Sequence, residues 1–212
     1  MEMKSRVLSI ELHYLPCIQY FVYLNSFEKI IIAQDDPYIR QSYRNRCRIN
    51  GANKVDDLII PVKKTSKDKS LSCDVIIDNN QKWLNKHLRA IQSAYGKAPF
   101  FEFYADDIFE ILNRGENNLF DLNKELLTKC LEILDLKISI VFSRNNSDVD
   151  KKGLYDAKNE INPKTPADKN ALFTPFEYFQ VFGNNFAANL SVIDLIFCEG
   201  PQARHILEKS CA

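Results

Sequence analysis

Residues 7–33 read VLSIELHYLPCIQYFVYLNSFEKIIIA, and the order of patterns in that stretch decides the fold. Val7–Leu12 is a short apolar run of strand type, and Ile30–Ala33 is a second, rich in β-branched side chains. Between them Pro16–Ser26 sets Ile18, Phe21, Val22 and Leu24 near helical period, with Pro16 suited to a first helical turn. Seventeen residues separate the two strands, too many for a tight hairpin and enough for a helical crossover. A crossover of that kind joins parallel strands, so the chain opens with a Rossmann-like βαβ unit.

Working outward, Leu58–Val62 and Cys73–Ile77 form the next strand pair, expected antiparallel, with Pro61 marking an edge. Their connection carries Lys63, Lys64, Lys67 and Lys69 and reads as a soluble hairpin tip. Trp83–Tyr95 places Leu84, Leu88, Ile91 and Tyr95 on one helical stripe. A second helix is expected over about 105–113, closed by Gly115. Asp121 is the expected cap of a third, whose apolar face is Leu122, Leu126, Cys130, Ile133 and Leu134. Ile138–Phe142 returns as a strand, expected to be central.

Residues 143–170 differ from the rest, with 11 of 28 residues charged, and read as a mobile charged excursion. Thr174-Pro175-Phe176-Glu177 has the form of a capping box, predicting a helix stopped by Gly183. Ser191 caps the next helix, and Gly200-Pro201 ends it and starts a last one through about Lys209. The sum is a single α/β domain over residues 1–212. It has a mixed, mostly parallel sheet and a helical C-terminal third over 171–212.

Composition sets the bounds on function. At 212 residues with 45% apolar and 26% charged side chains, the chain has ordinary globular values and enough length for one buried core. Lys+Arg 28 against Asp+Glu 28 gives zero formal charge, which argues against a general nucleic-acid binder. The longest uncharged stretch, Leu12–Phe27, is interrupted by His13, Pro16, Gln19 and Asn25 and is shorter than the ~20 apolar residues of a membrane span. Six scattered cysteines without C-x-x-C or zinc spacing, and a start without a secretory pattern, lead to an expected cytoplasmic location with reduced thiols. Dinucleotide and P-loop glycine motifs, the serine elbow and the zincin helix are absent, so no motif names a metal site and the cofactor stays open.

Position supplies the candidate chemistry. Open α/β sheets bind ligands outside the carboxyl ends of their parallel strands. His13-Tyr14-Leu15-Pro16 follows the first strand and Gln34-Asp35-Asp36-Pro37-Tyr38 follows the second. Parallel neighbours would bring these loops together in one crevice, making His13, Asp35 of the Asp35-Asp36 pair and Tyr38 candidate catalytic groups. Arg40, Arg44, Arg46 and Arg48 lie within nine residues, and arginine forks match phosphate or carboxylate. Asn45 sits among them. His87, one turn beyond Trp83, is a further candidate base; its alternative is a satisfied, half-buried core histidine.

The motifs then carry a resemblance. Pro16, Tyr20 and Phe21 are similar to a start of the form P-Y-F-F-P-x-x-G-Y-F, with Gln19 where Gly is common. Tyr38-Ile39-Arg40 and Tyr43-Arg44-Asn45-Arg46-Cys47-Arg48-Ile49 resemble Y-I-K…W-x-N-R-N-R-I, with Arg at 40, Tyr at 43 and Cys at 47 as departures. Leu58–Val62 is similar to L-x-x-P-V. Trp83, His87, Ile91, Tyr95 and Ala98 resemble W-x-x-K-H-x-x-x-I-x-x-x-Y-x-x-A, and Leu119–Asn123 matches L-x-D-L-N. Leu190-Ser191…Asp194-Leu195…Phe197…Gly200 resembles L-S-x-L-D-L-L-F-N-x-G, with Cys198 for Asn.

Together these resemble the WbqC-like protein family. The resemblance implies a place in O-antigen-like surface-polysaccharide biosynthesis and an aminoacyl (glycyl) or acyl transfer to a nucleotide-linked amino sugar. On that expectation His13 or His87 is the base, and Arg40, Arg44 and Arg46 clamp the phosphate or carboxylate of a small-molecule substrate. Two alternatives stand beside it: a nucleotidyltransferase-like enzyme using His13-x-x-Pro16, and a non-catalytic scaffold subunit, dimeric through the helical tail.

Overall fold

The computed structural model describes residues 7–63, 70–144, 153–165, 172–183 and 185–212. Strand β1 (Val7–Ser9), helix α1 (Ile18–Asn25) and strand β2 (Lys29–Ala33) form the expected unit, with Leu8 paired parallel to Ile30. Two further parallel strands extend it: β5 (Ser139–Ser143) beside β2, and β6 (Leu154–Asp156) on the other side of β1. The order is therefore β5-β2-β1-β6, every neighbour parallel. A separate antiparallel hairpin joins β3 (Arg46–Asn50) to β4 (Val55–Ile59), which makes the class α/β with a mostly parallel sheet.

The helices are α2 (Trp83–Tyr95), α3 (Phe101–Asn113), α4 (Leu119–Ile133), α5 (Val192–Glu199) and α6 (Ala203–Lys209). Helix α5 is the hub: Val192–Cys198 are all buried, and it packs against α1, α2, α3, α4 and α6. A helix that is apolar all round belongs inside a protein. Its start is laced to α1, with Ile18 N–H donating to Leu190 O at 3.0 Å and Val192 N–H to Pro16 O at 2.8 Å. The one charged side chain it buries is Asp194, which accepts from Tyr178 Oη and, at 3.0 Å, from Gln180 Nε2. Burial raises that carboxyl above its usual range, and the Tyr178, Tyr95 and Gln180 donors pull back against it.

Helix α5 ends at Gly200, whose φ of 51° lies in the region that favours glycine. A Cβ at Gly200 would stand 2.5 Å from the Phe100 ring. Gly200→Ala combines backbone strain with overpacking, so it is expected to lose about 2–3 kcal/mol of stability, read from the urea midpoint. All six cysteines are free thiols; Cys17, Cys47, Cys130 and Cys198 fill core positions. No helix among the described residues is long and apolar enough to cross a membrane.

Several expectations are corrected. The arginine run contains a strand: in β3, Cys47, Ile49 and Asn50 are buried while Arg46 and Arg48 are half-buried. The alternation was masked because half of it is charged. Leu58 therefore pairs with Cys47, and between the two expected strands there remains one antiparallel bridge, Val62 to Ile77, with Ser72–Asp74 in a 3₁₀ turn. Lys64, Lys67 and Lys69 lie outside the described residues. Helix α4 is capped by Asn118, whose side chain accepts from the N–H groups of Phe120 and Asp121, so Asp121 falls in the first turn. Strand β5 is an edge, because β6 returns to the far side of β1.

The charged 143–170 stretch holds β6 and the turn after it; 145–152 and 166–170 lie outside the described residues. The helix expected from Thr174 does not form. Residues 172–183 run as an irregular strap whose N–H groups find tertiary acceptors: Thr174 on Ser210 O, Phe176 on Ser210 Oγ and Phe179 on Glu199. Those partners replace the helical ladder.

Candidate functional site

Strand β1 connects through α1 to β2 on one side, and the chain later returns through β6 on the other. The strand order reverses between β1 and β6, which is where an open α/β sheet opens a crevice at its carboxyl end. Beyond β1 the chain supplies Glu11 and His13, beyond β6 the turn 157–160, and beyond β2 Asp35 and Asp36.

Glu11 is the centre. It is 3% exposed, and both its oxygens accept the Asn159 N–H, at 3.2 and 3.0 Å. His13 Nε2 lies 3.2 Å from Glu11 Oε1, and Arg44 Nη1 lies 3.6 Å from the same oxygen. Burial pushes the Glu11 carboxyl up, but the His13 bond and charge, Arg44 and the Asn159 N–H outweigh it and hold the group below the usual carboxylate range. Burial also holds His13 below the ordinary imidazole value, with Glu11 pulling the other way and Arg44 adding to the lowering. An ionised carboxylate only accepts, so neutral His13 donates from Nε2. Nδ1 then carries the lone pair, and among the described residues it has no hydrogen-bond partner. That is the arrangement of a base oriented by an acid.

Arg44 is 4% exposed and is built in from three elements. Its Nη2 donates to Asn159 Oδ1 at 3.1 Å, and its carbonyl accepts Asn123 Nδ2 from α4 at 2.7 Å. Nε and Nη1 have no hydrogen-bond partner among the described residues. The His13 ring sits 4.8 Å from the Tyr20 ring and 5.7 Å from that of Tyr43, and Tyr20 Oη donates to Glu11 O. Aromatic walls of this kind keep water from the pair.

The other candidates fall in different places. Asp36 is 8% exposed and pairs with Lys158 Nζ at 2.9 Å, while Asp35 beside it is half-buried. Burial pushes Tyr38 up to about 12, with the charges of Arg44, Arg40 and Arg46 opposing. Arg40 is exposed. Asn45 is built into the main chain near the hairpin, its Nδ2 donating to Ile60 O at 2.8 Å. Arg46 and Arg48 share one side of β3 and face Asp57 at 3.9 and 3.3 Å.

His87 is separate from the strand ends. Its Nε2 is 3.2 Å from Ile59 O, a pure acceptor, so Nε2 carries the proton and Nδ1 accepts from Tyr14 Oη at 3.0 Å. Burial holds its pKa at about 4, with the Ile59 carbonyl opposing. The unfolded imidazole takes up its proton near 6.5, before the folded one does, so stability is full above that pH and drains as pH falls toward 4. The expected loss across that window is roughly 2–3 kcal/mol. Urea midpoints measured from pH 7 to pH 4 check it, and His87→Gln should flatten the curve by that amount.

Glu11, Lys158 and Asn159 were not singled out from the sequence. Glu11 had a visible mark: Glu-x-His at the end of an apolar strand puts both side chains on one side of an extended chain. Lys158 and Asn159 had none, since they lie in the charged stretch. No three His, Cys, Asp or Glu side chains come together as a metal site among the described residues.

Comparison with known proteins agrees with the motifs. The chain is 23% identical over 222 residues to the uncharacterized protein Rv1507c of Mycobacterium tuberculosis, spanning 94% of this chain and 96% of that one. No solved structure matches it. The model of one family matches residues 12–171, which includes every strand-end residue above except Glu11 and stops short of the Leu190–Gly200 motif. With 160 of 212 residues matched, the chain belongs to the WbqC-like protein family.

Proposed function

We propose that the protein is a transferase of surface-polysaccharide biosynthesis, moving an acyl or aminoacyl group to the amine or hydroxyl of a nucleotide-linked sugar. One observation carries the reading: a buried Glu11–His13 pair presents an unshared Nδ1 lone pair beside a buried Arg44 whose Nε and Nη1 have no hydrogen-bond partner among the described residues. His13 Nδ1 takes the proton of the acceptor as its nitrogen or oxygen attacks the donor carbonyl. Arg44 stabilises the oxyanion, and Glu11 stabilises the imidazolium. The intermediate collapses, the bond to the leaving group breaks, and His13 returns the proton to that group.

In this reading Tyr38, Arg40 and Arg46 bind the anion outside His13, since the charges of Arg40, Arg44 and Arg46 all act on the Tyr38 phenol, and Asp35 is the further acid. His87 is the weaker of the two candidate bases, because both its nitrogens are engaged. A nucleotide-linked substrate accords with a cytoplasmic location. Isothermal titration against a panel of UDP-, GDP- and dTDP-linked sugars tests the reading. Binding by at least one, weakened by Arg46→Ala and abolished by Arg44→Gln, is expected. No heat with any of them would overturn it.

A further inference from the structure

The ion pair between Asp36 and Lys158 has a position that the topology fixes. Asp36 follows β2 and Lys158 follows β6, and β1 lies between those strands. A contact of 2.9 Å between the two side chains must therefore cross over the carboxyl end of β1, the strand that leads into Glu11 and His13. The side chains are 20% and 11% exposed, so the bar is part of the molecule's boundary there, with the fully buried His13 inside it.

Lys158 is also tied to Arg44. It sits in a turn in which its own N–H donates to Asp156 Oδ1 at 3.2 Å and Asn159 takes a φ of 63°. Asn159 bonds Glu11 through its N–H and Arg44 through its side chain. The turn 157–160 thus holds an outer ammonium and, one residue on, an inner guanidinium with two nitrogens lacking hydrogen-bond partners among the described residues. A negatively charged group entering between the strand ends meets Lys158 first and Arg44 next. The carboxylate on Lys158 is the element that such a group can replace, since a phosphate or substrate carboxylate offers the same oxygen acceptors.

We infer that Lys158 is a substrate-binding residue for an oxyanion, a phosphate or a carboxylate, and that Asp36 holds its place until that anion displaces it. The inference rests on the transferase reading for the location of the site, and it adds the charge class of the substrate and its point of entry. Exchange of one carboxylate for another anion keeps the Lys158 ammonium paired. A lysine suits this exchange because its compact ammonium swaps acceptors without the fixed fork of an arginine.

Titration of the full chain with pyrophosphate, and in parallel with acetate, separates the outcomes. Asp36→Asn removes the competing charge at nearly constant volume and is expected to tighten binding of the preferred anion about tenfold; Lys158→Gln weakens it by about the same factor and Lys158→Arg restores most of it. The larger response in the pyrophosphate arm assigns a phosphate, and in the acetate arm a carboxylate. A purely structural ion pair would lower the urea midpoint in both Asp36→Asn and Lys158→Gln and leave anion affinity unchanged, which overturns the inference. If Arg44→Gln, shown to be folded by its urea transition, abolishes binding while the other two variants are neutral, Lys158 is not a ligand and the transferase site stands. If all three are neutral, both readings fall.

Discussion

Arg44→Met is expected to lower the unfolding free energy by about 3–5 kcal/mol, as removal of one member of a buried ion pair does elsewhere. Glu11 is 3% exposed and Arg44 4%, so neither charge is screened by water. Without the guanidinium, Glu11 keeps the Asn159 N–H and the His13 bond but loses its only cation among the described residues. Methionine fills most of the arginine stem, which limits the cavity contribution and leaves the lost charge as the main term. Glu11→Gln should be costly for the mirror reason, stranding Arg44. The double variant should cost at least ~1 kcal/mol less than the two losses added together, since no uncompensated charge then remains. Strict additivity in urea unfolding would mean that the two groups do not interact.

The second large effect concerns His13. His13→Asn is expected to reduce turnover of the nucleotide-linked sugar selected by titration by about 10²–10⁴-fold, the usual worth of a positioned base. His87→Asn should leave turnover within about twofold, since that imidazole spends both nitrogens on Tyr14 and Ile59. The pH profile adds a check that a structural role would not pass. Burial holds His13 below the ordinary imidazole value of 6.5, so the acid limb of kcat should lie below that pH and vanish in His13→Asn. Glu11→Gln should move that limb lower still, because the carboxylate that favours the imidazolium is gone. An unchanged limb in both variants would remove His13 from the mechanism.

The two histidines show why the site was only half legible. From sequence His13 was a strand-end histidine and His87 a helix-face one, and both stood as candidate bases. Their difference is in what the second nitrogen touches: His87 Nδ1 accepts from a tyrosine that is 73 residues away, while His13 Nδ1 has no partner among the described residues. The arginine run divides in the same way. Arg44 turns toward Glu11 and Asn159, whereas Arg46 and Arg48 obey strand alternation and face Asp57. Spacing along the chain treats the three alike.

What the sequence determined by itself were features set by neighbours along the chain. The β-branched runs, the helical period between them and the crossover length specify β1-α1-β2 as a parallel unit, because strand and helix periodicity are local properties. The same holds for α2, whose limits Trp83–Tyr95 match the apolar stripe, and for the Gly200-Pro201 stop. Tertiary structure alone decided what depends on partners far away in the chain. A strap that reads as a capped helix at Thr174 gives up its ladder for acceptors on α5 and after α6. A short strand hidden in a charged stretch, β6, becomes the neighbour of β1 and so brings the turn with Asn159 against Glu11. Glu11 becomes a buried, ionised acid because Asn159 and Arg44, 148 and 33 residues on, arrive to compensate its charge. Burial and charge compensation are sums over space, and the chain acquires them only on folding.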